Sequence, residues 1–287
     1  SFFIMADDQV WVDLSMIGNP IIRTPNIDRL GDEGIVLENF FVDAVCSPTR
    51  AALLTGRYAV RGGVYSTSQG GERLDLDEQT FADVLKAGGY KTAAFGKWHN
   101  GMQAPYHPNS RGFDEFIGYC SGHWGSYFDA RLERNGESFD SKGFLTDFLK
   151  DQAVHAILPD YRYTDRENID KSRAAYAMVE NIDWNVGRIV KKLEELKLEE
   201  ETLIVYFSDN GPNGWRWNGG LKGTKGKVDE GGVKSPCIFR WKGQLKPQKI
   251  AAICAVQDIF PTLLDMAKVQ QIQQKPFDGR SLYQAMT

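Results

Sequence analysis

The chain has 287 residues, a formal net charge of −4 and 42% hydrophobic residues, which are ordinary values for a globular protein. This hydrophobic content is enough to bury a core and excludes disorder of the whole chain. Basic residues do not outnumber acidic ones, so the composition does not support nucleic-acid binding. Only 4 Cys exclude a disulfide scaffold, and no apolar run approaches the ~20 residues that a membrane span needs.

Apolar runs of strand length alternate with helical patterns, which is typical of an α/β fold. The pattern predicts, in chain order, a strand at 2–5, a short helix at 25–30 after Thr24, a strand at 35–42, a helix that opens at Asp77 and is closed by Gly88 and Gly89, a strand at 90–95, a long helix at 169–196, strands at 202–207 and 236–241, and a helix at 257–266. Polar residues follow several strand ends, and ligands bind at that edge of an open α/β sheet.

Two pairs of oxygen-bearing side chains come directly after buried strands, Asp7-Asp8 and Asp209-Asn210. A solvated turn is the ordinary interpretation of either pair. If the two strands are neighbours, however, three carboxylates and an amide oxygen converge and repel one another unless a cation lies among them. Oxygen ligands suit Ca²⁺ or Mg²⁺, and only four His make a His-rich zinc site a poor alternative.

The segment at residues 46–57 reads CSPTRAALLTGR. Pro48 is a residue type that initiates helices, so Cys46 is expected near a helix N-terminus, where anion binding is favoured. The other three cysteines show no regular spacing, and we expect them to be small buried residues.

This segment resembles the signature of the type I sulfatases, with about a dozen positions agreeing in order. Further similar segments are MADDQ at 5–9, TPNID at 24–28, GKWHNG at 96–101, FSDNG at 207–211, GTKGKVDEGG at 223–232 and DIFPTLL at 258–264. The resemblance covers nearly the whole chain. It implies an alkaline phosphatase-like α/β sandwich, in which a large, mostly parallel sheet lies between helices.

The resemblance also implies roles for individual residues. The implied metal ligands, for Ca²⁺ or alternatively Mg²⁺, are Asp7, Asp8, Asp209, Asn210 and Cys46. Cys46 would be oxidised to formylglycine, whose hydrate is the nucleophile. Arg50 would hold the hydrate, and His99 would take the proton of its second hydroxyl. Lys97 and Lys225 would bind the sulfate oxygens. His155 would contact the sulfate or the leaving group. His123 is a further candidate for substrate contact, with a packed loop as an equal alternative.

The implied activity is hydrolysis of the sulfate ester of a carbohydrate or an aryl alcohol. One hydroxyl of the geminal diol displaces the alcohol, and the other loses a proton and expels sulfate. A phosphomonoester, phosphodiester or phosphonate hydrolase of the same superfamily and a non-catalytic glycan-binding relative are the alternatives. By analogy the protein would be periplasmic or secreted, and a formylglycine-generating enzyme would be its maturation partner.

The chain departs from the family pattern in three places. Residues 1–6 read as the second half of a strand, so we expect the natural start to be absent. No strand fits before His155, which predicts a missing segment near 153–155. We also expect the smaller C-terminal subdomain to be missing, which leaves 1–287 as the catalytic domain.

Two interpretations are open for Trp215, Arg216 and Trp217. They would either form a wall that faces a sugar or, as we favour, pack at the core or rim of the protein.

Overall fold

The structure is a computed structural model that describes residues 1–123, 125–155, 171–214, 216–270 and 275–287, without the side chains of 154, 155 and 171–174. The chain divides into two compact units. Unit 1 contains residues 1–45, 167–255 and 284–287, and unit 2 contains residues 46–166 and 256–283. Among the described helices, none has both the length and the apolar character needed to cross a membrane.

Strands and helices are numbered in chain order. The strands are β1 (Phe2–Ala6), β2 (Ile35–Phe41), β3 (Ala93–Lys97), β4 (Glu115–Tyr119), β5 (Arg131–Arg134), β6 (Glu137–Asp140), β7 (Ile204–Ser208), β8 (Lys234–Ser235), β9 (Cys237–Arg240) and β10 (Gln248–Ala255). The α-helices are α1 (Pro25–Asp32), α2 (Cys46–Thr55), α3 (Phe81–Ala87), α4 (Leu145–His155), α5 (Lys171–Glu195), α6 (Glu230–Val233), α7 (Ile259–Ala267) and α8 (Tyr283–Met286).

Unit 1 is built on a sheet with the strand order β1-β7-β9-β2-β10, to which β8 adds by pairing with β2. The strand β1 is parallel to β7, and β2 is parallel to β10, whereas β9 is antiparallel to both of its neighbours. Four of the five strands in this order therefore run in one direction, as the predicted, mostly parallel sheet requires. All five residues of β7 are buried, which agrees with its continuous apolar sequence.

In unit 1, α5 fixes the start of α1 through one carboxylate. Asp183 accepts hydrogen bonds from the backbone N–H groups of Asn26 and Ile27, at 3.0 and 2.8 Å, and from the Asn26 side chain at 2.7 Å. Burial raises the pKa of the Asp183 carboxyl, while these donors oppose the rise. The carboxylate satisfies N–H groups that have no partner within the first turn of a helix.

Unit 2 holds a second sheet with the order β3-β4-β5-β6. The strands β3 and β4 are parallel, and they approach so closely that a Cβ atom at Gly118 would lie 2.0 Å from the carbonyl oxygen of Gly96. Aromatic rings form part of the core of this unit. Edge-to-face pairs join Trp98 to Phe113 at 5.7 Å, and Phe113 to Phe81 at 6.1 Å between ring centroids.

Two predicted boundaries in unit 2 are wrong. The helix predicted from Asp77 begins at Phe81, because Thr80 caps it. The Thr80 hydroxyl accepts from the Asp83 N–H at 3.1 Å, and the Asp83 carboxylate accepts from the Thr80 N–H at 2.9 Å. The strand predicted from residue 90 begins at residue 93, because Thr92 still bonds to the Asp114 side chain before the ladder with β4 starts.

Candidate functional site

The predicted carboxylate cluster forms in unit 1, at the ends of β1 and β7. The two strands are neighbours in register, with Ala6 opposite Ser208, so the residues that follow them leave the sheet together. One oxygen from each of Asp7, Asp8 and Asp209 lies within 4.8 Å of the others. The Asp8 N–H also donates to Asp209 Oδ1 at 3.2 Å.

Asn210 contacts this cluster, and its amide oxygen has no hydrogen-bond partner among the described residues. Its side chain is fully buried, and its Nδ2 donates to Asp8 Oδ1 at 2.7 Å and to the Gly211 carbonyl at 2.8 Å. The Oδ1 atom makes no hydrogen bond, although an unpaired buried acceptor costs about 1–3 kcal/mol. Three carboxylates and one unsatisfied amide oxygen are the donor set that a hard cation such as Ca²⁺ or Mg²⁺ takes, so these residues fit the implied metal.

Lys225 reaches the same cluster from the loop at 222–232. Its ammonium group forms an ion pair with Asp8. The loop rests on the turn after β7 through backbone contacts, since Gly211 N–H donates to the Gly232 carbonyl at 2.8 Å and Lys225 N–H donates to the Pro212 carbonyl at 3.1 Å. A Cβ atom at Gly211 would lie 2.0 Å from the Gly231 carbonyl oxygen, which explains the glycines in this motif.

Arg216 has a structural role beside the cluster. Its guanidinium group donates to both oxygens of the buried Asp13 side chain and, at 2.8 Å, to the Asp8 carbonyl oxygen. The ion pair holds the chain from Asp8 to Asp13 in place and leaves this arginine inside the protein. For Arg216, packing is therefore the correct alternative to a sugar-facing wall, while Trp215 lies outside the described residues.

In unit 2, Cys46 and His99 form a contacting pair. Cys46 is the first residue of α2, and its Sγ atom lies 3.2 Å from His99 Nδ1. The other ring nitrogen, Nε2, lies 2.9 Å from the Thr67 carbonyl oxygen, which can only accept a hydrogen bond. Nε2 therefore carries the proton of the neutral ring, and Nδ1 presents its lone pair to Cys46. His99 is oriented as a proton acceptor for residue 46.

The ring of His99 is held in a tight setting. Its backbone has a φ of +66°, a left-handed conformation that is unfavourable for a residue with a side chain. A Cβ atom at Gly122 would lie 2.1 Å from His99 Nε2. Sequence reasoning found neither Thr67 nor Gly122, because both act on His99 through contacts that only the folded chain brings about.

Arg50 and Lys97 meet near the start of α2. Arg50 lies one turn after Cys46 and on the same helix face, and its side chain is buried. Its Nη1 donates to the carbonyl oxygen of Lys97, the last residue of β3, at 2.7 Å. Within unit 2 the structure thus places Cys46 against His99, and Arg50 against the backbone of Lys97. Within unit 1 it groups Asp7, Asp8, Asp209, Asn210 and Lys225.

Two predicted histidines stand apart. His123 is exposed, in the loop that contains Gly122, and its carbonyl oxygen accepts from the Ser121 hydroxyl at 2.6 Å. His155 is the last residue of α4, and its side chain lies outside the described part of the chain. The segment predicted to be missing near 153–155 borders residues that also lie outside the described part of the chain. The role of His155 and the missing segment both stay predictions.

A second cluster of residue types that bind metals occurs in unit 2, formed by His107, Cys120 and Glu133. His107 Nδ1 accepts a hydrogen bond from the Asn109 N–H at 3.3 Å, so Nε2 carries the ring proton and points at Glu133 at 3.4 Å. A protonated Nε2 has no lone pair for a metal. Burial and the neighbouring Glu133 carboxylate raise the pKa of the Cys120 thiol. We interpret the trio as a structural cluster.

Comparison with known proteins identifies the family of the chain. The family model described as Sulfatase matches residues 1–269. The chain is 30% identical to N-acetylgalactosamine-6-sulfatase of Canis lupus familiaris over 343 residues, which covers 99% of this chain and 65% of that protein. It is 30% identical to human arylsulfatase A, covering 92% of this chain and 63% of the relative. The chain thus spans slightly less than two thirds of the length of these curated relatives.

Solved structures give the same result for the fold. The structure of Ps i-CgsB in complex with k-i-k-neocarrahexaose superposes with a TM-score of 0.87 at 28% identity, covering 99% of this chain and 75% of that one. The PsFucS1 sulfatase from Pseudoalteromonas sp. matches with a TM-score of 0.81 at 28% identity, covering 99% and 71%. The predicted alkaline phosphatase-like α/β fold is confirmed.

Proposed function

Because this chain belongs to the sulfatase family, we propose that it is a sulfuric ester hydrolase that removes sulfate from a sulfated carbohydrate or an aryl sulfate. The observation that carries the proposal is the Cys46–His99 pair. The carbonyl of Thr67 sets the ring tautomer, and the Nδ1 lone pair faces residue 46 at 3.2 Å. A proton acceptor beside the residue that the family motif makes the nucleophile is what this reaction needs.

The proposed nucleophile is Cys46 after its conversion to formylglycine, whose hydrate supplies a geminal diol. His99 accepts a proton at Nδ1, and Thr67 prevents its ring from turning away. Arg50 is buried one turn along α2 and contributes positive charge at the helix start, where the helix dipole also favours an anion. We assign to Lys97 the binding of sulfate oxygens.

We propose that Asp7, Asp8, Asp209 and Asn210 hold a divalent cation, Ca²⁺ or alternatively Mg²⁺, which neutralises the charge of the sulfate group in the reaction. The orphaned Asn210 Oδ1 and the three converging carboxylates support this assignment. Lys225 offsets one of the three negative charges through its ion pair with Asp8. It is also our candidate for binding a sulfate oxygen. A direct contribution of residue 46 to the metal, which the family resemblance implies, remains a prediction.

We further propose that the substrate is a sulfated small molecule or polysaccharide and that a formylglycine-generating enzyme matures the protein. By analogy with the family, we place the protein in the periplasm or outside the cell. His123 and His155 remain candidates for contact with the substrate or its leaving group.

The activity is tested by comparing 4-nitrophenyl sulfate with 4-nitrophenyl phosphate and phenylphosphonate esters, together with sulfated oligosaccharides. The protein is produced with and without a formylglycine-generating enzyme, so that the control has the same sequence and an unconverted thiol. We expect sulfate release only from converted protein. A faster release of phosphate or phosphonate would identify the alternative hydrolase. Binding of sulfated glycans without turnover by converted protein would identify a non-catalytic relative.

A substitution at a neighbouring residue should displace the His99 ring while leaving His99 itself unchanged. Gly122→Ala places a methyl group where the Nε2 atom of His99 lies, so the ring must shift away from Thr67. We expect kcat to fall by roughly 10²-fold, the cost that about 1 Å of misplacement can impose. Gly125→Ala is the matched control, because a Cβ atom there meets nothing within 4 Å. Equal activity of the two variants would contradict the proposed role of His99.

A further inference from the structure

Asn100 is a fully buried residue whose side chain joins three parts of unit 2. Its Nδ2 lies 3.2 Å from the Ser47 carbonyl oxygen, 3.2 Å from the Ser47 hydroxyl and 3.3 Å from the Glu72 carbonyl oxygen. Two of these three atoms are carbonyl oxygens, which only accept hydrogen bonds. The amide nitrogen must therefore face them, and the orientation of the side chain is fixed.

The position of Asn100 in the chain gives these contacts their importance. Asn100 follows His99 in the turn after β3, and its neighbours His99 and Gly101 both have positive φ angles, +66° and +110°. Its main acceptor, Ser47, follows Cys46 in the first turn of α2. The Asn100 amide therefore ties the turn that carries the proton acceptor to the helix that carries residue 46.

We propose that Asn100 is a positioning residue, which keeps residue 46 and His99 in contact by fixing the start of α2 to the turn after β3. Its catalytic consequence rests on the proposed sulfatase activity. Asn100 itself contacts neither the sulfur nor the ring nitrogens among its hydrogen bonds, so it acts through Ser47 and Glu72. Arg50 also joins α2 to the last residue of β3, one turn further along the helix, whereas the Asn100 amide makes its contact at the residues directly beside 46 and 99.

The test compares Asn100→Ala and Asn100→Asp with Asn109→Ala, all converted to formylglycine and normalised by its measured content. Asp has the same size but turns an acceptor oxygen toward two carbonyls. We expect kcat to fall by roughly 10–10²-fold in both Asn100 variants, with KM nearly unchanged. Asn109 is the matched control, since its Nδ2 donates to Phe113 O and Asn135 Oδ1 elsewhere in unit 2. Wild-type kcat in Asn100→Asp would overturn the proposal.

A second measurement does not depend on activity. In unconverted protein, amide hydrogen exchange is followed in peptides covering 44–54 and 96–102. We expect faster exchange in both segments of the Asn100 variants and in neither segment of Asn109→Ala. Asn100→Ser keeps one short hydrogen-bond donor, so its exchange rates should lie between those of the wild type and of Asn100→Ala. It replaces Asn100→Ala in the test if that variant does not fold. Unchanged exchange would overturn the positioning role, whereas wild-type protein without sulfatase activity would overturn only the proposed function.

Discussion

Cys46→Ala is expected to abolish sulfate ester hydrolysis while the protein still folds. Removal of a nucleophile costs about 10³-fold or more in kcat. The side chain is small and almost fully buried, at 3% exposure, so its loss leaves a cavity of about one sulfur atom and little strain. The helix itself should persist, because Ala favours helices at least as well as Cys. Sulfate release from 4-nitrophenyl sulfate and the thermal unfolding midpoint measure the two parts of this prediction.

The control for Cys46→Ala is Cys254→Ala, which removes an equally buried cysteine from β10 in unit 1. We expect this variant to retain wild-type turnover per formylglycine. Conversion itself is measured on the peptide that contains residue 46, since replacing CH₂SH by CHO lowers its mass by ~18 Da. Full turnover by Cys46→Ala, or by natively matured protein that contains only thiol at residue 46, would overturn the nucleophile assignment.

Removal of divalent metal is expected to abolish turnover, and Ca²⁺ or Mg²⁺ is expected to restore it. The same cation should also stabilise the fold, because three converging carboxylates repel one another without it. At a hundredfold excess over its Kd, a ligand that binds only the native state adds about 2.7 kcal/mol to the free energy of unfolding. The rise in the thermal midpoint on adding Ca²⁺ to chelated protein measures this effect without any substrate.

Asp209→Asn tests the ligand set directly. The amide keeps the size of the side chain and an oxygen that can accept from the Asp8 N–H, but it removes one negative charge. We expect the Ca²⁺-induced rise in midpoint to disappear and turnover to fall by at least ~10²-fold, since the cation supplies several kcal/mol of charge stabilisation. Asp32→Asn, at the exposed end of α1, is the control. Recovery of the chelated enzyme by Zn²⁺ alone would contradict an oxygen-ligated hard cation.

The carboxylate cluster could be predicted because it follows from local rules. Asp7 and Asp209 each come directly after an apolar strand, and parallel neighbouring strands end at one edge of a sheet. The position of Cys46 at a helix start followed in the same way from Pro48. These predictions needed only the strand ends and a helix-initiating residue, both of which are written in short stretches of sequence.

The contacts that orient the side chains could not be predicted. Thr67 and Gly122 lie 32 and 23 positions from His99, and nothing in their own sequence marks them as its neighbours. The hairpin of β5 and β6 was missed for another reason. Its strands have only four residues each, although Asn135 and Gly136, both with positive φ angles, are a recognised turn signal between them.

The pairing of β1 with β7 has a consequence for the order of folding. The partners in this ladder, such as Phe2 and Ile204, are separated by about 200 residues, and the Asp8–Asp209 hydrogen bond spans 201. A contact of such long range forms slowly, because closing so long a loop costs conformational entropy before the contact is gained. During synthesis from the N-terminus, Asp7 and Asp8 emerge long before Asp209. The carboxylate cluster therefore cannot assemble until more than two thirds of these 287 residues have been made.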